Sequence, residues 1–231
     1  MRVTTVGLDA DDTLWHNETL FRLTEQKFVE LLSEWADPEA LEHRLLETER
    51  RNLAVYGYGV KGFTLSMIET AIELTEGRVP VEAIQAILQA GRDMHFHPVE
   101  PLPGVRETLE ALHERYRLVL ITKGDLFHQE QKVAQSGLGD FFAGVEIVSE
   151  KDASTYARVF GTWDGAERAA MVGNSVKSDV LPALAAGAYA AWTPYHTTWA
   201  LERADPPEAH PRYARLETIA DLPAWLERIE E

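Results

Sequence analysis

An apolar run, VTTVGL at residues 3–8, opens the chain with residue types that suit an extended strand. After Thr13 the apolar period lengthens. Leu20, Phe21, Phe28, Leu31, Leu32 and Trp35 recur at helical spacing, and Pro38 opens a second helical stretch that carries Leu41, Leu45 and Leu46. Phe63, Met67, Ile68, Ala71 and Ile72 mark a third helix, and Val81, Ile84, Ile87 and Leu88, beyond Pro80, a fourth. Residues 19–97 therefore read as four helices without a strand. Between the second and third lies YGYGVKG, residues 56–62, a glycine-rich turn that presents two tyrosines and a lysine.

HPVEPLPG, residues 97–104, punctuates the chain with prolines and a glycine and reads as a return linker. Beyond it the period alternates. Short, nearly continuous apolar runs at 117–122, 144–149, 169–173 and 188–192 are separated by amphipathic stretches at 104–115, 126–136, 153–161 and 178–186. Strands buried on both faces and separated by helices predict a parallel sheet, to which the strand at 3–8 also belongs. The expected fold class is α/β: a Rossmann-like, doubly wound parallel sheet core formed by residues 1–15 and 100–231, interrupted by an inserted four-helix domain at 16–99. The last forty residues, with Pro206, Pro207 and Pro211, show little periodicity before a final helix at 222–229.

In open parallel sheets ligands bind outside the carboxyl ends of the strands, so those ends are where chemistry is sought. The first strand runs into Asp9-Ala10-Asp11-Asp12-Thr13. Alternation along an extended chain predicts that Asp9 and Asp11 share a side and that Asp12 faces away. Two acids at one point repel unless a cation neutralises them or one is held protonated, which leaves metal binding or paired nucleophile and acid chemistry open. The other strand ends are also polar: Thr122-Lys123-Gly124-Asp125, Ser149-Glu150-Lys151-Asp152, and Gly173-Asn174-Ser175 leading to Ser178-Asp179.

Charge narrows the partners. A formal net charge of −16 and a pI near 4.9 disfavour nucleic acid and anionic lipid, and no basic run offsets them. With no cysteine there is neither a disulfide framework nor a thiolate metal site. No apolar stretch approaches a membrane span and no signal core is visible at the start, so the expectation is a soluble, cytoplasmic protein acting on a small molecule. Nothing in the pattern indicates an oligomeric state.

DADDTL, ITKG, Lys151 and GNSVKSD, in that order, resemble the four motifs of the haloacid dehalogenase-like (HAD) hydrolases, in the subgroup whose helical cap is inserted just after the first motif. The resemblance spans residues 3–192. It implies that Asp9 is the nucleophile, forming an aspartyl-phosphate, and that Asp11 is the general acid and then base. It further implies that Asp9, the Asp11 carbonyl, Asp179 and Asn174 hold Mg²⁺, that Thr122, Lys123, Gly124 and Lys151 bind the phosphoryl group, and that Lys151 orients Asp9. Two departures stand out. Asp12 replaces a common glycine and is expected to form hydrogen bonds, and Asn174 replaces a common second acid.

An acid two residues after the nucleophile favours phosphate ester hydrolysis, because a halide leaves without a proton. The expected function is Mg²⁺-dependent hydrolysis of a small phosphorylated metabolite. The alternatives are a sugar phosphomutase, a haloacid dehalogenase, or a catalytically silent binding protein, for which Asn174 speaks mildly. Phosphonate cleavage would need a loop lysine, for which Lys61 is the candidate. Substrate contacts are expected from His16, Asn17, Tyr56, Tyr58, Lys61 and Phe63, although the aromatic residues could equally pack between helices. Thr122 could merely cap a helix, and Lys123 rivals Lys151.

Overall fold

The computed structural model describes residues 2–230 and divides them into two compact units. One comprises the chain up to Glu18, Val99–Lys123 and everything from Gln129 onward; the other comprises Thr19–Pro98 with Gly124–His128. The sequence boundaries at 15/16 and 99/100 thus differ by a few residues, and the short return at 124–128 groups with the helices.

The first unit is built on six parallel strands in the order β3-β2-β1-β4-β5-β6. They are β1 (Thr5–Leu8), β2 (Arg117–Lys123), β3 (Gly144–Val148), β4 (Ala169–Gly173), β5 (Tyr189–Trp192) and β6 (Tyr213–Arg215). Central β1 pairs with β2 on one side and β4 on the other, Leu8 lying opposite Leu120 and Val172. Alternation sorts the side chains cleanly. Val6, Leu8, Leu118, Leu120, Ala170 and Val172 pack on one face under α5 (Val105–Leu112) and α9 (Leu222–Glu230). Val119, Ile121, Ala169 and Met171 pack on the other under α7 (Ala153–Gly161). Gly7 is needed on that second face, since a Cβ there would meet Ile121, Phe160 and Met171 at 3.0 Å.

The doubly wound α/β core expected from the sequence is present, with three differences. The strand expected over 3–8 is confined to Thr5–Leu8, and a sixth strand lies in the proline-rich tail where none was expected. The expected helix over 178–186 is instead a single π-helical turn, Val176–Val180, followed by the short α8 (Leu181–Ala185).

In the second unit α1 (Glu18–Leu31), α2 (Pro38–Tyr56), α3 (Val60–Leu74) and α4 (Val81–His95) enclose Phe28, Leu32, Leu41, Leu45, Met67 and Ile87. Helix α2 starts where Asp37 accepts the Ala40 N–H and Pro38 occupies the first turn, and it stops at Gly57, φ 71°. Helices α3 and α4 approach closely at Gly91, where a Cβ would lie 2.3 Å from Thr64 Oγ1.

Entry to and exit from the helical insert run side by side in the sheet unit. The Leu102 N–H donates to the Leu14 carbonyl at 2.8 Å, and Trp15 and Pro101 form an antiparallel bridge. Among the described residues no helix is long and apolar enough to cross a membrane.

Candidate active site

Beyond Leu8 the chain leaves the strand and turns at once, with the Thr13 and Leu14 N–H groups both donating to the Ala10 carbonyl. The alternation rule therefore does not reach Asp9 and Asp11. The turn, held to β4 by the Asp9 N–H on the Val172 carbonyl at 2.9 Å, is what aims them.

Asp9 is 6% exposed. Its Oδ1 accepts from Lys151 Nζ at 2.5 Å and its Oδ2 from Thr13 Oγ1 at 2.8 Å. Lys151, just before α7, also donates to Asp179 Oδ1 at 2.7 Å, and Asp179 Oδ2 accepts the Ser175 N–H at 2.9 Å. Gly173 makes room for that carboxylate, since a Cβ there would fall 2.2 Å from Asp179 Oδ2. Thr13 Oγ1 in turn accepts the Asn174 N–H at 3.0 Å. Asp9, Asp179, Lys151 and Asn174 are thus brought together from the ends of three strands.

One ammonium shared by two buried carboxylates leaves an excess of negative charge. Burial, then the Asp179 charge, push the Asp9 carboxyl up to about 7, outweighing Lys151. Burial alone would discharge Lys151, but Asp179 and Asp9 hold it charged, above the usual lysine value. Among the described residues no three acidic or histidine side chains converge as a metal cluster. The oxygens gathered here are two carboxylates and neutral groups such as the Asn174 amide, hard donors that suit Mg²⁺ and leave it room for water.

Asp11 has its own partners. Oδ1 accepts from Lys132 Nζ at 2.6 Å and Trp15 Nε1 at 2.7 Å, and Oδ2 from Gln129 Nε2 at 3.1 Å. Burial raises its carboxyl, but Lys132 and these hydrogen bonds prevail and hold it below the usual range. Gln129 also donates to Thr122 Oγ1 at 2.6 Å, so Thr122 and Asp11 are linked through one amide. Lys132, Gln129 and Trp15 were not singled out in the sequence. The available signal was the spacing of Gln129 and Lys132, three apart on one face of α6 (Leu126–Ser136), but polar pairs of that kind are ordinary on solvated helices.

Lys123 pairs with Glu202 at 2.8 Å and with Glu150 at 3.2 Å. Gly124, φ 141°, belongs to the helical unit. So do Tyr56, Tyr58 and Lys61. Tyr56, the last residue of α2, donates to Glu69, and Lys61 pairs with Asp125 at 2.9 Å. The turn expected over 56–62 shrinks to 57–59, so Lys61 sits in the first turn of α3 and not on a loop. His16 is exposed, with Nδ1 2.5 Å from the Tyr195 hydroxyl. Asp12 carries out the hydrogen-bonding role expected of it, accepting the N–H groups of Asn17 and Glu18.

A family model described as haloacid dehalogenase-like hydrolase matches residues 3–187. Among solved structures, a haloacid dehalogenase-like family hydrolase from Xanthomonas campestris is 48% identical, with a TM-score of 0.89 over 98% of this chain and 91% of that one. A HAD-hydrolase from Bacillus subtilis bound to magnesium is 16% identical, with a TM-score of 0.68 over 98% and 99% of the two chains. An L-2-haloacid dehalogenase from Xanthobacter autotrophicus is 17% identical, with a TM-score of 0.67 over 98% and 99%. At those identities the last two share the fold. No curated protein matched the chain.

Proposed function

We propose, from the premise that the chain belongs to the haloacid dehalogenase-like hydrolase family, that it hydrolyses a small phosphate monoester through an aspartyl-phosphate on Asp9. The observation that carries this reading is Asp11, a carboxylate held beside the nucleophile by Lys132, Trp15 and Gln129. An alkoxide leaving group needs a proton, whereas a departing halide does not.

Asp9 Oδ attacks phosphorus and the ester oxygen departs. The proton on Lys132 Nζ passes through Asp11 to that oxygen, giving the alcohol. In the second half Asp11 takes a proton from water as its oxygen attacks the acyl phosphate, returning it to Lys132 and freeing Asp9 with inorganic phosphate. Lys151 holds Asp9 in line for attack and offsets charge on the transferring group. Thr122, steadied by Gln129, supports a phosphoryl oxygen with its hydroxyl. Asp9, Asp179, the Asn174 amide and the Asp11 carbonyl would hold Mg²⁺, which supplies the counter-charge that lets a carboxylate approach a phosphoryl dianion.

Release of phosphate from p-nitrophenyl phosphate, with Mg²⁺ and with EDTA, tests the reading. Mg²⁺-dependent turnover is expected, and its absence across a panel of phosphorylated metabolites, with chloride released from a haloacid instead, would overturn it. Asp9→Asn should lower kcat at least about 10³-fold without loss of fold, as removal of a covalent nucleophile does.

A further inference from the structure

The segment after β5 brings a carboxylate into the site from outside the 3–187 stretch that the family model matches. Glu202 ends a short helical turn, Ala200–Glu202, and its side chain is 15% exposed. Its Oε1 accepts from Lys123 Nζ at 2.8 Å, and its Oε2 accepts from Ser175 Oγ at 2.7 Å and Ser178 Oγ at 2.5 Å. All three donors stand at the ends of β2 and β4.

Ser175 caps, and Ser178 lies within, the π-helical turn Val176–Val180, closed by the Val180 N–H on the Ser175 carbonyl at 3.3 Å. Such turns are rare and occur frequently at functional sites. Glu202 supplies an outside hold. From Ser175 the contacts run on to Asp179 Oδ2, from Asp179 Oδ1 to Lys151, and from Lys151 to Asp9. Lys123 Nζ also lies 2.9 Å from Ser178 Oγ, so Glu202, together with the more exposed Glu150, offsets a cation that stands one residue along from the carboxylate meant for a metal.

We infer that Glu202 is a positioning residue: it fixes the π-helical turn that aims Asp179 and helps to neutralise Lys123, so that Asp179 and Asn174 are set for a divalent cation. This rests on the Mg²⁺ reading of Asp179 given above. Glu202 touches neither substrate nor metal; it acts through Ser175, Ser178 and Lys123.

Isothermal titration of Mg²⁺ alone into wild type, Glu202→Ala and Glu202→Gln tests the inference, together with amide hydrogen exchange over residues 175–180. Glu202→Ala should weaken Mg²⁺ binding about tenfold or more, the usual loss when a partner of a metal ligand is removed, and should speed exchange in the turn. Glu202→Gln keeps an acceptor for the hydroxyls but not the charge, so a smaller loss is expected. Should Glu202→Ala fail to fold, Glu202→Gln and Ser178→Ala carry the test, each with weaker binding and faster exchange. Mg²⁺ affinity within about twofold of wild type in the folded variants would overturn the inference and leave the phosphatase reading standing. A wild type that binds no Mg²⁺ would overturn the metal reading, and this inference with it.

Discussion

Asp12 holds its backbone at φ 64°, in the left-handed region that side chains rarely adopt. The strain is offset because its carboxylate caps the start of α1, accepting the Glu18 N–H at 3.0 Å and the Asn17 N–H at 2.8 Å. Asp12→Ala loses the acceptor yet keeps the strained backbone and should cost about 2 kcal/mol in denaturant unfolding. Asp12→Asn tolerates that backbone, keeps an acceptor and should stay within about 1 kcal/mol of wild type. Glu202 makes a second prediction. Burial raises its carboxyl, but Lys123, Ser178 and Ser175 prevail and hold it below its ordinary value of 4.5. A depressed carboxyl stabilises the fold above its unfolded pKa and loses that contribution as pH falls through the folded one. The gap in Tm between wild type and Glu202→Gln should therefore be full at pH 7 and close on acidification below 4.5. Asp9, Asp11, Lys151 and Asp179 could be picked out as candidates because strand ends concentrate unusual polar residues and because the motifs there resemble those of a known family. Lys132 and Glu202 could not, since a lone charge on an amphipathic helix or in an irregular tail looks like any solvated side chain until folding buries it.

Helices α3 and α4 meet at Gly91, so closely that the Thr64 side chain occupies the place of a Cβ. Helix propensity favours alanine over glycine by about 1 kcal/mol, whereas an overpacked contact costs about 1–3 kcal/mol. Thr64 cannot swing away cheaply, being β-branched and bonded to the Val60 carbonyl at 2.8 Å. The contact should win. Gly91→Ala is expected to lower stability, and Gly91→Ala with Thr64→Ala to recover it, measured by thermal unfolding. Strands β1, β2 and β4 were readable because burial on both faces demands continuous apolar runs. β6 escaped notice because Tyr213–Arg215 is three residues long, at the sheet edge, and lies in a proline-rich tail. The π-helical turn escaped because its sequence, VKSDV, carries no period by which it differs from an ordinary first turn.

The whole molecule carries a net charge of −16, which an anionic substrate meets before it reaches Lys151. Added salt screens that repulsion, with a Debye length that falls from about 30 Å at 0.01 M to about 8 Å at 0.15 M. For a phosphomonoester, kcat/KM should therefore rise over that range of ionic strength while kcat stays nearly constant; a fall would point to local steering by lysines. The pairing of Leu14–His16 with Glu100–Leu102 bears on a different property of the chain. The eighty residues from Thr19 to Pro98 leave and return through neighbouring positions, so to the sheet they amount to a long loop on a closed stem. The cost of closing such a loop grows only slowly with its length. The insert is accordingly a cassette: a gene in which a few glycines join residue 18 to residue 99 should still encode a folded parallel sheet, and an unrelated domain with adjacent termini could be spliced in its place.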